Sequence, residues 1–547
     1  MRDRGISLTV ASRPSRAADS LAPRVGASYG SYVAGGHLEV ERKFDVDGSF
    51  TPPTADELAG VPGVASVDDP VEHLLQAGYF DTPDLRLFSA RVTMRRRTGG
   101  TDAGWHVKLP AGAGARRELH EPLGRSVRKP PAALLEPVTG LLRGASVGPI
   151  ATLNTRRLVT VLRDADGRAL AELADDTVTA TVLASGTEQP LEVQTWREVE
   201  VELLDGDESL LDAVGTLLTA AGTSPSPRAS KLGRAIASRT RDAERNPEEA
   251  EGGGPRAEDV VLAAVRDQVT ALQTADVALR LDQPDAVHQV RVACRRLRSI
   301  FSSFRRVLDR AATDPLREEL SWVAGELSAA RDDEVALSHL RELVAAEPVE
   351  EVLGPVAARL QQAQLRTAVS GRERALETLS DARYLRLLDD LYALLAAARL
   401  SDRADRRARP VLRAAVRKAA RRLDARLERV DATDGPEKDE AVHEVRKAGK
   451  RLRYTAEVAR ADLGRPAKKL VKVSKKVQQA LGDRQDTVVT REQCRQLAIA
   501  ADAAGENAYT YGRLQALEEV RADEAWATFE ALEPRLHAAL TAVNQKN

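Results

Sequence analysis

The chain has 547 residues, of which 43% are hydrophobic, 30% are charged and only 3% are aromatic. A chain of that length is expected to form several domains, and the composition favours helical cores of Leu, Val and Ala. The formal net charge of −1 excludes a globally basic binder of nucleic acid or membranes, so any polyanion site must come from locally segregated charge. Two isolated cysteines, Cys294 and Cys494, exclude a disulfide scaffold and a cysteine zinc site.

Targeting and membrane signals are weak. No apolar run reaches 18 residues, and the N-terminal Ile6-Ser-Leu-Thr-Val-Ala11 is too short for a secretory signal. We therefore expect a cytoplasmic protein. Residues 1–36 are rich in Ser, Ala, Arg and Gly without a sustained period, which predicts a disordered leader.

A domain of short strands is predicted over residues 37–240. Alternating runs such as Leu38-Glu-Val-Glu-Arg-Lys-Phe44, Trp105-His-Val-Lys-Leu109 and Arg197-Glu-Val-Glu-Val-Glu-Leu203 are separated by Gly and Asp clusters. Such a pattern is typical of an antiparallel sheet or barrel. A helix is predicted to follow at Ser209–Ala221, because its Leu and Val residues recur on one helical face.

The C-terminal half is predicted to be helical. Residues 241–256 contain Pro, Glu and a Gly-Gly-Gly run, and their composition is that of a linker. Residues 257–543 then show apolar residues at helical spacing. Ala286–Arg298 aligns with Ala441–Arg453 at a constant offset of 155, with nine of 13 positions identical, so we predict two copies of one helical unit.

Charged residues alternate along the predicted strands. Side chains two residues apart share a face of a strand, so Glu39, Glu41 and Lys43 lie together, as do the three glutamates of the 198–202 run. A single strand of this kind is most simply a solvated sheet face. Two Glu-x-Glu strands among strands with paired Arg or Lys favour another interpretation, because carboxylates bind divalent cations and basic clusters bind phosphate oxygens. A metal-bound polyphosphate requires both kinds of group.

These residues resemble a known family. Glu39-Val-Glu-Arg-Lys43 is similar to the ExExK signature of the CYTH superfamily, which includes class IV adenylyl cyclases, thiamine triphosphatases and bacterial inorganic triphosphatases. Later elements follow in the family's order, from Tyr79-Phe-Asp-Thr82 through Arg95-x-Arg97 to Ser230-Lys231. The resemblance implies an eight-stranded antiparallel β-tunnel that holds a triphosphate.

The resemblance also implies roles for individual side chains. Acidic residues would hold Mg²⁺ or Mn²⁺, and basic residues would bind the phosphates. Asn154 departs from the family, since many members have a basic residue two positions before the arginine matched to Arg156. The implied metal ligands are Glu39, Glu41, Asp176, Glu200 and Glu202, and the implied phosphate-binding residues are Lys43, Arg95, Arg97, Lys108, Arg116, Arg156 and Lys231.

The charges also indicate how hydrolysis would proceed. A triphosphate needs its negative charge neutralised, its terminal phosphoryl group held in line with a water, and the leaving diphosphate stabilised. Metal ions and basic side chains supply all three. The sequence offers no evident Ser-His or Cys-His pair, so a covalent nucleophile is not expected. Candidate catalytic bases are Glu118 and Glu198, with bulk hydroxide as a further alternative.

A basic stripe is predicted in each helical repeat. A histidine and three basic residues recur at i, i+3, i+7 and i+10, which is one continuous helical face. A solvated basic face is the usual explanation for one such helix. Two stripes in a chain of net charge −1 favour a polyanion site, and the scarcity of aromatic residues argues against stacked bases. The stripes are His288, Arg291, Arg295 and Arg298, and His443, Arg446, Lys450 and Arg453.

This repeated pattern resembles the CHAD domain over about residues 255–540. The resemblance implies two four-helix bundles related by pseudo-twofold symmetry, with a basic groove that binds inorganic polyphosphate. The predicted fold class is therefore α+β multidomain. An N-terminal antiparallel β-barrel tunnel of the CYTH kind precedes an all-α pair of four-helix bundles of the CHAD kind.

The leading hypothesis is a divalent-metal-dependent triphosphate hydrolase joined to a polyphosphate-binding helical domain. Its substrate would be inorganic triphosphate or the ends of polyphosphate, and polyphosphate granules are a candidate location in the cytoplasm. Two alternatives stay open: a non-catalytic polyphosphate-binding granule protein, and a class IV adenylyl cyclase that uses the same residues on ATP. Nucleic acid and membranes are not expected as partners.

Overall fold

The computed structural model describes residues 37–544, apart from 47–49, 101, 112–114, 185–188, 229, 241–253, 399, 402 and 434–435. The predicted leader and most of the predicted linker lie outside the described residues. Within them, an antiparallel sheet domain precedes a helical domain, which confirms the predicted fold class.

The described strands form one antiparallel sheet that closes on itself. Its order is β1-β6-β5-β4-β3-β7-β8-β9, and β9 pairs back with β1, so eight strands make a barrel. Strands β2 and β10 pair with β7 and β1. The longest strands exceed the short ones expected from the turn signals. The strands are β1 (His37–Asp45), β2 (Ser66–Val67), β3 (Val71–Asp81), β4 (Thr93–Thr98), β5 (Gly104–Pro110), β6 (Ala115–Pro122), β7 (Gly148–Arg163), β8 (Ala169–Leu183), β9 (Pro190–Leu203) and β10 (Ser224–Pro225).

Short helices cover the outside of this barrel. The longest, α5, confirms the helix predicted at Ser209–Ala221, and it buries Leu211 and Val214 against Phe44 and Val201 of the sheet. Because apolar side chains take the outward positions under these helices, strand alternation leaves the inward positions to other residues. The helices are α1 (Ala55–Ala59), α2 (Arg86–Ser89), α3 (Ala132–Leu135), α4 (Thr139–Leu142), α5 (Glu208–Ala220), α6 (Lys231–Ala235) and α7 (Ala237–Thr240).

The helical domain shows the internal repeat in its helices. The first repeat runs through α8, α9, α10–α11 and α12–α13, and the second through α14, α15, α16–α17 and α18. None of the described helices combines the length and apolar character that crossing a membrane requires. The helices are α8 (Ala257–Arg280), α9 (Ala286–Ser303), α10 (Arg310–Glu326), α11 (Ser328–Ala346), α12 (Val356–Ser380), α13 (Ala382–Ala396), α14 (Ala408–Asp431), α15 (Pro436–Val458), α16 (Arg460–Leu463), α17 (Arg465–Ala503) and α18 (Tyr509–Asn544).

The two repeats pack into shared apolar cores. The larger cluster joins α8, α9 and α13 of the first repeat to α14, α15 and α18 of the second. A smaller cluster brings together Leu337 of α11, Leu360 of α12, Cys494 of α17 and Leu514 of α18. Each repeat therefore buries apolar surface that it could not cover alone.

The barrel domain contacts the helical domain through α4 and the residue that follows it. Arg143 donates from Nε to Asp389 at 2.7 Å, and its guanidinium lies 4.2 Å from the ring centroid of Tyr392. Gly140 lies so close to the buried carboxylate of Asp276 on α8 that a Cβ would overlap it. This glycine thus permits the close approach of the two domains.

Replacing Gly140 should disturb this contact. In Gly140→Val the branched side chain meets the carboxylate of Asp276, and overpacking of this kind costs about 1–3 kcal/mol. We expect a lower midpoint of urea unfolding for this variant. The matched control is Gly124→Val, since a Cβ on Gly124 has no atom within 4 Å. Equal midpoints for the two variants would contradict the close domain contact.

Candidate functional site

A charged cavity of about 330 Å³ lies inside the barrel. Strand alternation directs polar side chains from β1, β4, β5, β6, β8 and β9 into it, and Lys231 reaches it from α6. The structure thereby brings together most of the predicted site residues, whose roles stay predictions. Those that line the cavity are Glu41, Lys43, Arg95, Arg97, Lys108, Arg116, Glu118, Glu200, Glu202 and Lys231.

Three carboxylates lie side by side on the cavity wall. Glu41 on β1 is directly opposite Glu202 on β9, and Glu202 is directly opposite Glu172 on β8. Directly opposite residues have Cβ atoms about 4.5–5.5 Å apart, and like charges in that position are destabilising. Burial and the charges of Glu41 and Glu172 raise the pKa of Glu202, although Lys108 acts against them. We call Glu41, Glu172 and Glu202 the carboxylate row.

Basic side chains line the neighbouring part of the wall. Arg95 and Arg97 come from β4, Lys108 from β5 and Arg116 from β6. Burial, with repulsion from Arg95 and Arg157, lowers the pKa of Arg97 to about 9, so the guanidinium is still charged at neutral pH. Crowded, partly buried cations favour a bound anion, because guanidinium and ammonium groups bind phosphate oxygens. We call Arg95, Arg97, Lys108 and Arg116 the basic wall.

A second group of charges inside the barrel is balanced by the protein itself. Nζ of Lys231 lies 2.9 Å from Asp176 and 2.8 Å from Glu198. It also lies 2.5 Å from Glu200. Arg157 donates to both Asp176 and Glu200. The buried charge cluster, as we name it, comprises Lys43, Arg157 and Lys231 with Asp176, Glu198 and Glu200, so three cations meet three carboxylates.

The cations of this cluster hold its carboxylates ionised. Burial alone would raise the pKa of Glu200, but Lys231 and Lys43 outweigh it and hold that pKa well below its usual range. Lys231 and Arg157 likewise lower the pKa of Asp176. Oxygens of Asp176, Glu198 and Glu200 all lie within 4.8 Å of one another, a spacing that could also hold a metal ion. In the structure Lys231 lies among them.

The structure corrects one predicted phosphate ligand. The Arg156 side chain is 53% exposed and pairs with Glu72 at 2.5 Å, so it points away from the cavity and the prediction is wrong. Arg157, the next residue on β7, lines the cavity instead. The reason is that successive side chains on a strand point to opposite faces, so an alignment shifted by one residue selects the wrong side.

Other predicted residues lie behind the wall or outside the described side chains. Asp176 and Glu198 are buried in the charge cluster and do not line the cavity, and Glu198 also accepts a hydrogen bond from Trp196 at 2.6 Å. A catalytic base must reach the water that it deprotonates, so Glu198 is poorly placed for that role and Glu118 is better placed. Glu39 is opposite Arg116 in register, but its side chain lies outside the described part of the chain.

The sequence assigned no role to Glu172, which lines the cavity. Its spacing of four residues from Asp176 places both on the inward face of β8, and that signal was available. What the sequence did not show is the pairing of β8 with β9, which sets Glu172 opposite Glu202.

In the helical domain, the two predicted basic stripes meet. α9 packs against α15, and Lys450 of α15 lies near Arg446 of its own helix and near Arg291 and Arg295 of α9. Burial and the repulsion of these guanidinium groups lower the pKa of Lys450 to about 7. We call Arg291, Arg295, Arg446 and Lys450 the basic groove. Burial is the largest cause of this shift, and the carboxylate of Asp486 opposes it. Cations crowded in this way favour a polyanionic ligand.

The remaining residues of the stripes have varied surroundings. Nδ1 of His443 lies 3.2 Å from Oε1 of Gln485, and the guanidinium of Arg453 lies 4.8 Å from the ring centroid of Tyr454. His288 and Arg298 are half-buried on α9.

The chain belongs to the family of proteins that join a CYTH domain to a CHAD domain. The CYTH domain matches residues 37–236, and the CHAD domain matches residues 263–495. A Mycobacterium tuberculosis protein, Uncharacterized protein Rv2226, is 39% identical over 515 residues, which are 92% of this chain and 97% of that protein. The resemblance inferred from the motifs is thereby confirmed.

Solved structures are similar to parts of the chain. PptA from Streptomyces chartreusis is 21% identical, with a TM-score of 0.42, over 51% of this chain and 100% of that one. The CHAD domain from the plant Ricinus communis is 23% identical, with a TM-score of 0.37, over 55% of this chain and 98% of that one.

Removing Lys231 should destabilise the barrel. Lys231→Met leaves three carboxylates against two cations, and breaking a buried ion pair from one side costs about 3–5 kcal/mol. We expect a correspondingly lower free energy of unfolding at pH 7, measured by urea denaturation. Adding Glu198→Gln restores the balance of charges and should recover part of the loss.

The loss of stability in Lys231→Met should depend on pH. In the wild type, the lowered pKa values of Asp176 and Glu200 give stability that is present above the unfolded carboxyl pKa of about 4 and is lost as pH falls through the folded values. Without Lys231, one carboxylate takes up a proton more readily. The difference from wild type should therefore shrink between about pH 7 and pH 5. An equal difference at both pH values would argue against this account.

Proposed function

We propose that the barrel hydrolyses triphosphate with the help of a divalent metal ion and that the helical domain binds inorganic polyphosphate. The observation that supports the first part is that the carboxylate row and the basic wall line one cavity. A volume of about 330 Å³ is within the range of small-molecule sites.

The basic wall supplies groups that triphosphate hydrolysis needs. Guanidinium groups such as Arg95 and Arg97 bind phosphate oxygens in pairs, and Lys108 adds a compact charge. Positive groups fixed where charge develops on the leaving diphosphate stabilise the transition state more than they stabilise the substrate. Little covalent chemistry is then left for the protein to perform.

The carboxylate row fits a divalent cation. Hard cations such as Mg²⁺ and Mn²⁺ prefer carboxylate oxygens, and Glu41, Glu172 and Glu202 occupy adjacent register positions on the cavity wall. Burial raises the pKa of Glu202, and the charges of Glu41 and Glu172 add to this shift, so a bound cation would favour its ionised form. The buried charge cluster fits a metal less well, because Lys231 already neutralises it. When bound, the ion would neutralise and orient phosphate oxygens.

The proposal for the helical domain depends on the basic groove. Two helices from different repeats contribute guanidinium groups that face one lysine, and the described groove contains no aromatic side chain on which a base could stack. A flexible polyanion without bases matches that chemistry. Inorganic polyphosphate is the polyanion that would also deliver substrate to the barrel.

A first test removes one charge from the carboxylate row. Glu202→Gln keeps the shape of the side chain, and we expect it to abolish Mn²⁺ binding measured by calorimetry. Triphosphate hydrolysis, followed by phosphate release, should fall by about 10²-fold or more. EDTA should inhibit the wild type in the same assay.

The matched control is Asp175→Asn. Asp175 is the β8 residue that pairs with Arg197, and it does not line the cavity, so this variant should keep the activity. Loss of Mn²⁺ binding in Glu198→Gln but not in Glu202→Gln would assign the metal to the buried charge cluster instead. Cyclic AMP formed from ATP would favour the cyclase alternative.

A second test concerns the pH dependence of polyphosphate binding. Because the pKa of Lys450 is lowered to about 7, much of this lysine is neutral at pH 8, and a bound polyanion raises its pKa. Binding therefore takes up a proton above pH 7. We expect the affinity of the full chain for long polyphosphate to rise as pH falls from about 9 to 7 and to level off below.

Two variants test whether Lys450 causes this pH dependence. Lys450→Arg keeps its charge at every pH in this range, so it should bind with less pH dependence than the wild type. Lys450→Met should bind more weakly at pH 6 and show a smaller decrease of affinity with added salt. Identical pH profiles for the wild type and Lys450→Arg would contradict the assignment.

A further inference from the structure

A buried histidine lies against the best-placed acidic residue of the cavity. His106 on β5 is 2% exposed, and its Nδ1 lies 2.8 Å from Oε1 of Glu118 on β6. Its Nε2 lies 2.9 Å from the backbone carbonyl oxygen of Asp102. Neither the carboxylate row nor the basic wall includes this histidine.

The two contacts of the ring determine how many protons the pair holds. The carbonyl of Asp102 can only accept a hydrogen bond, so Nε2 of His106 must carry a hydrogen. A neutral ring would then present the Nδ1 lone pair to an oxygen of Glu118 at 2.8 Å, and two lone pairs at that distance repel. The contact is favourable only with a proton between them, either as imidazolium with carboxylate or as imidazole with carboxylic acid.

We propose that His106 and Glu118 hold one shared proton and that Glu118 delivers it to the leaving diphosphate, with His106 as the positioning residue. The proposal rests on the triphosphatase function proposed above. It changes the expected role of Glu118, which the sequence suggested as a base, to that of an acid.

The step balances in atoms and charge. The bond from the terminal phosphorus to the bridging oxygen breaks as water adds to that phosphorus, and the bridging oxygen takes the shared proton. The attacking water releases its own proton to solvent, and the pair regains one from solvent. Between these events the pair is a carboxylate beside a neutral ring. Arg95, 3.5 Å from Oε1 of Glu118, and Lys108, 4.0 Å from its Oε2, stabilise that charge.

The charged groups around His106 make the proton easy to give away. From β4, Arg95 and Arg97 face the ring, and Lys108 and Glu118 come from β5 and β6. The ring of His120 on β6 is 4.7 Å away between centroids, and the carboxylate of Asp102 pairs with Arg97. Burial and Arg95 lower the pKa of His106 to about 4, and the hydrogen bond to Glu118 acts against them. Phosphates bound at Arg95 and Arg97 would offset part of this positive charge. The pair of His106 and Glu118 would then keep its proton until the bond to the bridging oxygen breaks.

The first experiment compares His106→Asn with His120→Asn in the full chain. Asparagine can still donate a hydrogen bond to Glu118 but has no proton to transfer. We expect kcat for triphosphate to fall by about 10²-fold with little change in KM, because general acid catalysis typically accelerates a reaction by at least about that factor. We expect kcat of the wild type to fall at high pH, and this decrease should disappear in His106→Asn and persist in His120→Asn.

A second experiment observes the proton without any assay of activity. Nitrogen NMR of the full chain labelled at histidine and saturated with diphosphate, with His106→Asn to assign the signal, should show hydrogen on Nε2 and a shared hydrogen at Nδ1. A bare Nδ1 from pH 5 to pH 9 would overturn the proposal, as would a wild-type pH profile in His106→Asn. If the wild type hydrolyses no triphosphate, the proposed function fails and the acid role with it, while a shared proton in the spectrum would still establish the pair.

Discussion

Lys231 is held by three carboxylates inside the barrel, and the rest of the site depends on this balance. A charge removed from water is tolerated only when partners close to it replace the lost hydration. The buried charge cluster satisfies that condition with protein groups alone. In the carboxylate row, Lys43 lies 3.0 Å from Glu41, and in the basic wall, Glu118 lies 3.5 Å from Arg95 and 4.0 Å from Lys108. Protein groups therefore offset the like charges of these two sets only in part. The groups that we propose to bind ligands are those that the protein neutralises only in part.

The same alternation that sends charges inward also builds the outer surface of the barrel. Met94, Trp105 and Leu119 point outward from β4, β5 and β6 into an apolar cluster that includes Leu141 of α4. Val277 of α8 packs against this cluster, so the contact with the helical domain continues the barrel's own packing. The strands that carry the basic wall on one face are thus fixed from the other face by the second domain.

In the helical domain, as in the barrel, the fold holds like charges close together. Arg291, Arg295 and Arg446 surround Lys450, and the apolar packing of α9 on α15 maintains that arrangement against their repulsion. The apolar core that the two repeats share therefore holds the basic groove in place, although its like charges repel one another when no ligand is bound. Preorganised charge of this kind binds a polyanion without reorganisation.

Patterns local in sequence were sufficient for much of this protein. Alternating charge in Glu39–Lys43 predicted the inward face of a barrel strand, and helical spacing from His288 to Arg298 predicted a continuous basic stripe. Such patterns do not predict which residues contact each other across strands and helices. Three features depend on strand register. They are the placement of Arg157 rather than Arg156 in the cavity, the carboxylate row, and the contact of His106 with Glu118. Register is set by cooperative pairing and packing over the whole barrel, and a shift of one residue reverses every side chain, so only the tertiary structure decided them.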